Sequence, residues 1–285
     1  MTAVGKVAVV EEPRGIDLPL WRELFTPWDY LRLKASPVYY GFGIPHGHGA
    51  PVVVVPGFLG SDVYLLELYF WLWRIGYTPY FSHIGHVAEC LDLLTHRLLR
   101  TVQRAHRQTH RPVHLIGHSL GGVLCRGAAT ILPNHVAGVI TLGSPFRGIT
   151  INPWVLRAVR AVQTKVRLSH LREKGCLTPH CSCGFSATMR SDFPTTVRQL
   201  AVYTKSDGVV HWQNCLSENE AYNREVCGTH IGLVWNPEVY RIIAEELSVT
   251  ETETEKAAAP FPRNGKNGKA RRTRKRAAVR PQVQS

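Results

Sequence analysis

The sequence predicts an α/β fold, a mostly parallel sheet with helices on both faces. From residue 51 onward, short β-branched runs alternate with longer segments of helical periodicity. The strand-like runs are apolar throughout, as strands covered on both faces must be. Apolar residues make up 44% and charged residues 19% of the 285, enough to build a core and too few charges for a wholly disordered chain.

The elements follow in order. Pro51-Val-Val-Val-Val-Pro56 reads as a buried strand stopped by proline. Asp62 caps a helix to about Trp73, and Thr78 to Ser82 is a second strand. Val87 to about Gln108 is a long helix with Leu91, Leu94, Leu98 and Val102 on one face. Pro112 to Ile116 reads as strand, Leu120 to about Leu132 as helix, and Val136 to Leu142 and Val197 to Tyr203 as strands. A short strand near Arg224 to Val226 precedes a last helix from about Pro237 to Leu247, capped by Asn236. Between Gly148 and Phe193 the strand rhythm lapses. There Trp154, Val155, Ala158, Val159, Val162 and Val166 recur at helical spacing. About 45 residues is long for one connection, so a helical cap over the sheet is expected. The organisation is an N-terminal extension (1–36), an α/β domain (37–248) with a cap at about 148–193, and a tail (249–285) read as disordered.

The formal net charge of +13 is a property of that tail. Residues 257–285 hold nine Lys or Arg and no acid, leaving the first 256 residues near +4. Such a run attracts anionic lipid head groups or nucleic acid through phosphate charge, or simply solubilises the chain. The start of the sequence has no apolar segment of the ~7–15 residues a secretory signal needs. The greasiest stretch, Val63 to Trp73, falls short of the ~20 residues of a bilayer span and contains Glu67. A cytoplasmic protein, membrane-peripheral at most, is the expectation. Of seven cysteines, Cys176, Cys181, Cys183, Cys215 and Cys227 cluster late. They read as packed thiols or local disulfides; a zinc site from Cys181, Cys183, His180 and Cys215 would lack paired C-x-x-C knuckles.

The sharpest chemical signal is Gly117-His-Ser-Leu-Gly-Gly122, directly after a strand and before a helix. That context is a nucleophile elbow, in which glycines at 117 and 121 let strand and helix approach closely around Ser119. A serine hydroxyl needs a base and an orienting acid, in the chain order Ser, acid, His. His230, in the Gly-flanked loop Cys227-Gly-Thr-His-Ile-Gly232, is the best placed of His135, His170, His180, His211 and His230. His211 follows the candidate acid too closely for a strand to intervene. Asp207, just past the strand ending at Tyr203, is the acid, with Asp192 in reserve. Oxyanion donors are expected from the amide of Leu120 and, in the loop Val55-Pro-Gly-Phe-Leu-Gly60, that of Phe58 rather than Leu59.

Together with Leu142-Gly-Ser-Pro145, Ser206-Asp-Gly-Val-Val210 and Thr229-His-Ile-Gly-Leu233, these motifs resemble the lipase and esterase branch of the α/β-hydrolase superfamily over about residues 37–247. The resemblance implies an α/β-hydrolase fold, a Ser119, Asp207, His230 triad and carboxylic-ester hydrolysis through an acyl-serine, with no metal or organic cofactor. Phe58, Leu59, Leu120, Phe146 and the apolar face of the 154–166 helix would wall the serine and suit an acyl chain or lipid ester. An acyltransferase or thioesterase would use the same residues, and a non-catalytic binding protein the same scaffold.

Overall fold

The computed structural model describes residues 13–169 and 183–258. The chain runs through β1 (Arg14–Gly15), α1 (Thr26–Ala35), β2 (Pro51–Val55), α2 (Leu66–Arg74) and β3 (Thr78–Phe81). It continues with α3 (Leu91–Thr109), β4 (Val113–His118), α4 (Leu120–Ile131), β5 (Val136–Leu142) and β6 (Thr150–Ile151). The last elements are α5 (Pro153–Ser169), α6 (Gly184–Met189), β7 (Arg198–Tyr203), β8 (Asn223–Glu225) and α7 (Pro237–Ala258). Six strands form one sheet in the order β3-β2-β4-β5-β7-β8, every pair parallel.

The valine run of β2 explains how the sheet becomes the middle layer. Successive side chains of a strand point to opposite faces. Val52 and Val54 enter the core formed with α2 and α7, among Leu68, Trp71, Tyr240 and Ile243. Val53 and Val55 enter the core formed with α3 and α4, among Leu94, Leu98, Leu124 and Ala128. β4 lies between β2 and β5, well inside the sheet.

Three boundaries differ from the sequence reading. Asp62 opens only a 3-10 turn (Asp62–Leu65). Its carboxylate instead accepts from the amides of Ser82 (3.1 Å) and His83 (3.0 Å), fixing the loop after β3. The long helix starts at Leu91 rather than Val87, because the backbone of Val87 is engaged by the loop after β2: Leu59 N–H donates to Val87 O, and Val87 N–H to Gly60 O, each at 3.0 Å. Helix α7 is opened by Asn236, whose Oδ1 accepts from Glu238 N–H at 2.9 Å, and it continues past Leu247 to Ala258. Residues 249–258 are therefore helix; the basic run beyond lies outside the described residues.

The N-terminal extension is built into the fold. β1 pairs with β6, and a 3-10 helix (Leu20–Phe25) leads into α1. Its polarity is reversed: Thr26 and Asp29 are buried with Leu33, while Trp21, Leu24, Phe25, Trp28 and Leu31 are left 57–79% exposed. The cap is helical as expected, in α5 and α6; His170, Cys176, His180 and Cys181 lie outside the described residues. Cys215 is a buried free thiol packed among Ile151, Leu156 and Val210, and Cys227 is an exposed one. Among the described residues no helix is long and apolar enough to cross a membrane.

Candidate active site

Strand β4 ends at His118 and α4 begins at Leu120, so Ser119 alone makes the turn, at φ 51° and ψ −124°. A non-glycine residue held there costs on the order of 1–3 kcal/mol and persists only where its surroundings over-determine it. They do. Ser119 N–H donates to Leu142 O (2.8 Å), and Gly122 N–H donates to Ser119 O (3.0 Å). A methyl group on Gly117 would strike the backbone of Gly121 and Gly122, and one on Gly121 the carbonyls of Val55 and Pro56. The two glycines thus perform the close approach that the sequence assigned to them, and Ser119 stands at the positive end of α4.

Asp207 lies in the turn after β7. Its Oδ1 accepts the amides of Val209 (2.9 Å) and Val210 (2.7 Å), and its Oδ2 accepts from His230 Nδ1 at 2.6 Å. Both partners are buried, His230 to 3% and Asp207 to 4% exposure. Donation from Nδ1 fixes the tautomer and leaves Nε2 for a further partner. Burial by itself would depress the His230 pKa, but the charge of Asp207, its hydrogen bond and the charge of Glu23 outweigh that, so the net shift is upward.

Ser119 and His230 line one cavity of about 640 Å³, within the usual range for small-molecule sites. Its walls are apolar. Phe58, Leu59 and Leu120 come from the two loops at the sheet edge, Val155, Val159 and Val162 from α5, and Phe185 and Met189 from α6. Phe146, expected in the wall, instead packs beneath it, with the Arg126 guanidinium 4.3 Å from its ring centroid. For the oxyanion donors, Leu59 N–H is committed to Val87 O. The amides of Phe58 and of Leu120, first in its helix, have no acceptor among the described residues.

The reserve candidates stand apart. His211 stacks on Trp212 (centroids 6.3 Å) and does not line the cavity, and Asp192 is exposed. His135 sits before β5 beside His106, at the opposite end of the sheet from Ser119.

The sequence reading missed the residues that hold the His230 loop. Glu23, from the 3-10 helix of the extension, accepts Gly208 N–H (3.2 Å) and His230 N–H (3.0 Å) on Oε1 and Ile231 N–H (2.9 Å) on Oε2. One carboxylate therefore joins the loop of Asp207 to the loop of His230. Asp29 of α1 accepts Thr229 N–H (3.3 Å) and the Thr229 hydroxyl (3.1 Å) on Oδ2. From the other side His118 Nε2 donates to His230 O (3.0 Å), and Tyr64 donates to Ile231 O (3.2 Å). The His118 ring lies 4.8 Å from that of His230; burial foremost, then the His230 charge, depress its pKa to about 3, so it remains neutral. The only sequence signal for Glu23 and Asp29 was an apolar stripe that leaves the acids on the inward side.

A model of the palmitoyl protein thioesterase family matches residues 72–210, a span that includes the elbow and the Asp207 turn. The fold is shared with lipase B of Aspergillus fumigatus, at 16% identity and TM-score 0.51 over 72% of this chain and 55% of that one. It is shared also with one of the metagenome-derived lipolytic enzymes LipS and LipT, at 17% identity and TM-score 0.50 over 73% and 96%. The chain has the α/β-hydrolase fold. In an α/β-hydrolase, the strand bearing the nucleophile lies within the parallel sheet, and the loops at the carboxyl ends of the strands carry the chemistry. Here β4 delivers Ser119, the turn after β7 delivers Asp207 and the loop after β8 delivers His230.

Proposed function

We propose that this protein is a serine esterase that cleaves carboxylic esters with an apolar acyl group through an acyl-serine intermediate. His230 Nε2 takes the Ser119 proton as Oγ attacks the carbonyl carbon. Asp207 holds the tautomer and balances the imidazolium, and the amides of Phe58 and Leu120 receive the oxyanion. The protonated His230 then gives its proton to the departing alkoxide, and water, deprotonated by the same ring, releases the acid. The observation that carries this reading is the 2.6 Å Asp207–His230 bond, whose imidazole shares a cavity with a strained Ser119. The acyl group would occupy the apolar cavity under α5 and α6, where each buried methylene contributes about 0.8 kcal/mol.

The match to the palmitoyl protein thioesterase model supports a second reading, in which the scissile bond is a thioester. The chemistry is unchanged except that a thiolate leaves. One experiment tests both: p-nitrophenyl esters and acyl thioesters of matched chain length, assayed on wild type and Ser119→Ala alongside fluorophosphonate labelling. Turnover and labelling that vanish together in Ser119→Ala are expected, and the higher kcat/KM of the two series names the bond. A folded wild type that neither labels nor turns over either series would remove the proposal and leave a binding protein.

A further inference from the structure

The extension presents its apolar side to solvent. Along the 3-10 helix and α1, Trp21, Leu24, Phe25, Trp28 and Leu31 recur at spacings of three and four, and all are more than half exposed. Their neighbours Glu23 and Asp29 are turned inward onto the loops at 208 and 229–231. The stripe begins at the cavity. Leu20 and Trp154 line both the 640 Å³ cavity and a shallow groove that also contains Trp21 and Leu24. The rim residues Leu59, Trp154 and Ile231 are themselves 37–66% exposed.

The charges beside this surface are mostly basic, with Asp17 an acid in the groove itself. Helix α5, whose apolar side covers the cavity, contains no acidic residue and exposes Arg157, Arg160 and Lys165. Arg22 and Arg32 flank the stripe, and Asp17 is the one acid of residues 13–34 turned to solvent. Tryptophans with an apolar body and a polar edge, ringed by Arg and Lys, match the boundary between acyl chains and head groups.

We propose that this face docks on an anionic phospholipid bilayer, with Trp21, Leu24, Phe25, Trp28 and Leu31 entering the interface, α5 facing the head groups, and the cavity mouth brought to the lipid. The inference is independent of the catalytic reading, because binding needs no turnover.

Sedimentation of the full chain with phosphatidylcholine vesicles, with and without phosphatidylserine, tests it. Binding to the mixed vesicles is expected, weakening with salt. The pair Leu24→Ala and Trp28→Ala should lower the partition coefficient about tenfold by removing apolar area. Arg157→Gln and Arg160→Gln should lower it about fivefold each on anionic vesicles and little on neutral ones. Melting temperatures within about 2 °C of wild type show that the variants fold. Three results would overturn the proposal. One is no vesicle binding by the full chain, even if removing residues 1–12 restores it. Another is binding that survives the Leu24 and Trp28 changes but disappears when residues 259–285 are removed. The third is a solution dimer that these changes dissolve while vesicle binding is untouched, which would assign the stripe to a second copy.

Discussion

At His230 two opposed influences meet, and their balance sets the pH behaviour of the proposed mechanism. Burial favours the neutral ring, whereas Asp207 and Glu23 favour the charged one and prevail. A general base must be neutral, so the acidic limb of the kcat/KM profile is expected above the ordinary imidazole value of about 6.5. Stability runs the other way. A pKa raised by folding stabilises fully below the unfolded value and less as pH climbs through the folded one. Glu23→Gln removes one of the two charges, so the limb should move to lower pH while the plateau falls as a backbone amide loses its acceptor. A pH–rate profile on a soluble ester reads both changes; an unmoved limb would show that Glu23 acts only as a mechanical tie. Asp207→Asn should reduce kcat by about 10⁴-fold, as loss of the orienting acid does in such triads. Asp192→Asn, on an exposed residue, should leave kcat unchanged, and steady-state kinetics of the pair separates the two aspartates.

The elements show why part of this site was legible in the sequence and part was not. Ser119, Asp207 and His230 each follow a strand-like run, and Gly117 and Gly121 announce a turn that no other residue could make. Phe58 was preferred to Leu59 because the glycine beside it lets its amide turn inward, and the commitment of Leu59 N–H to Val87 O adds a second physical reason. α1 was illegible because the usual rule, apolar side inward, fails there: its buried face carries Asp29 and Thr26. Backbone pairing between Val87 and the 57–60 loop displaced the start of α3, which side-chain periodicity cannot register. A glycine series measures how rigid the elbow is. At Gly121 a methyl group meets carbonyl oxygens, whereas at Gly127 it meets the Phe185 ring at 3.1 Å, a side chain that can shift. Gly121→Ala should cost about 3 kcal/mol or more, and Gly127→Ala less than about 1. Thermal melts should separate them by several degrees.

The molecule as a whole has an unequal pair of ends. Although the extension reads as an addition to the α/β domain, it supplies Glu23 and Asp29, so deletion of residues 1–36 should abolish turnover and lower the melting temperature. Deletion after Ala258 should leave the hydrolysis of a small soluble ester intact. Side-by-side assays of the two truncations, with circular dichroism to follow folding, test this asymmetry. The order of the strands has a consequence for how such a protein fails. Ser119 hangs from β4, deep within the sheet, but His230 hangs beyond β8, a three-residue margin with Arg224 and Glu225 in solvent. Margins of this kind open locally at a fraction of the free energy of global unfolding. Amide hydrogen exchange should therefore be faster at Asn223–Glu225 than along Val113–His118, and in rising denaturant activity should fade while the tryptophan signal of the core is still native.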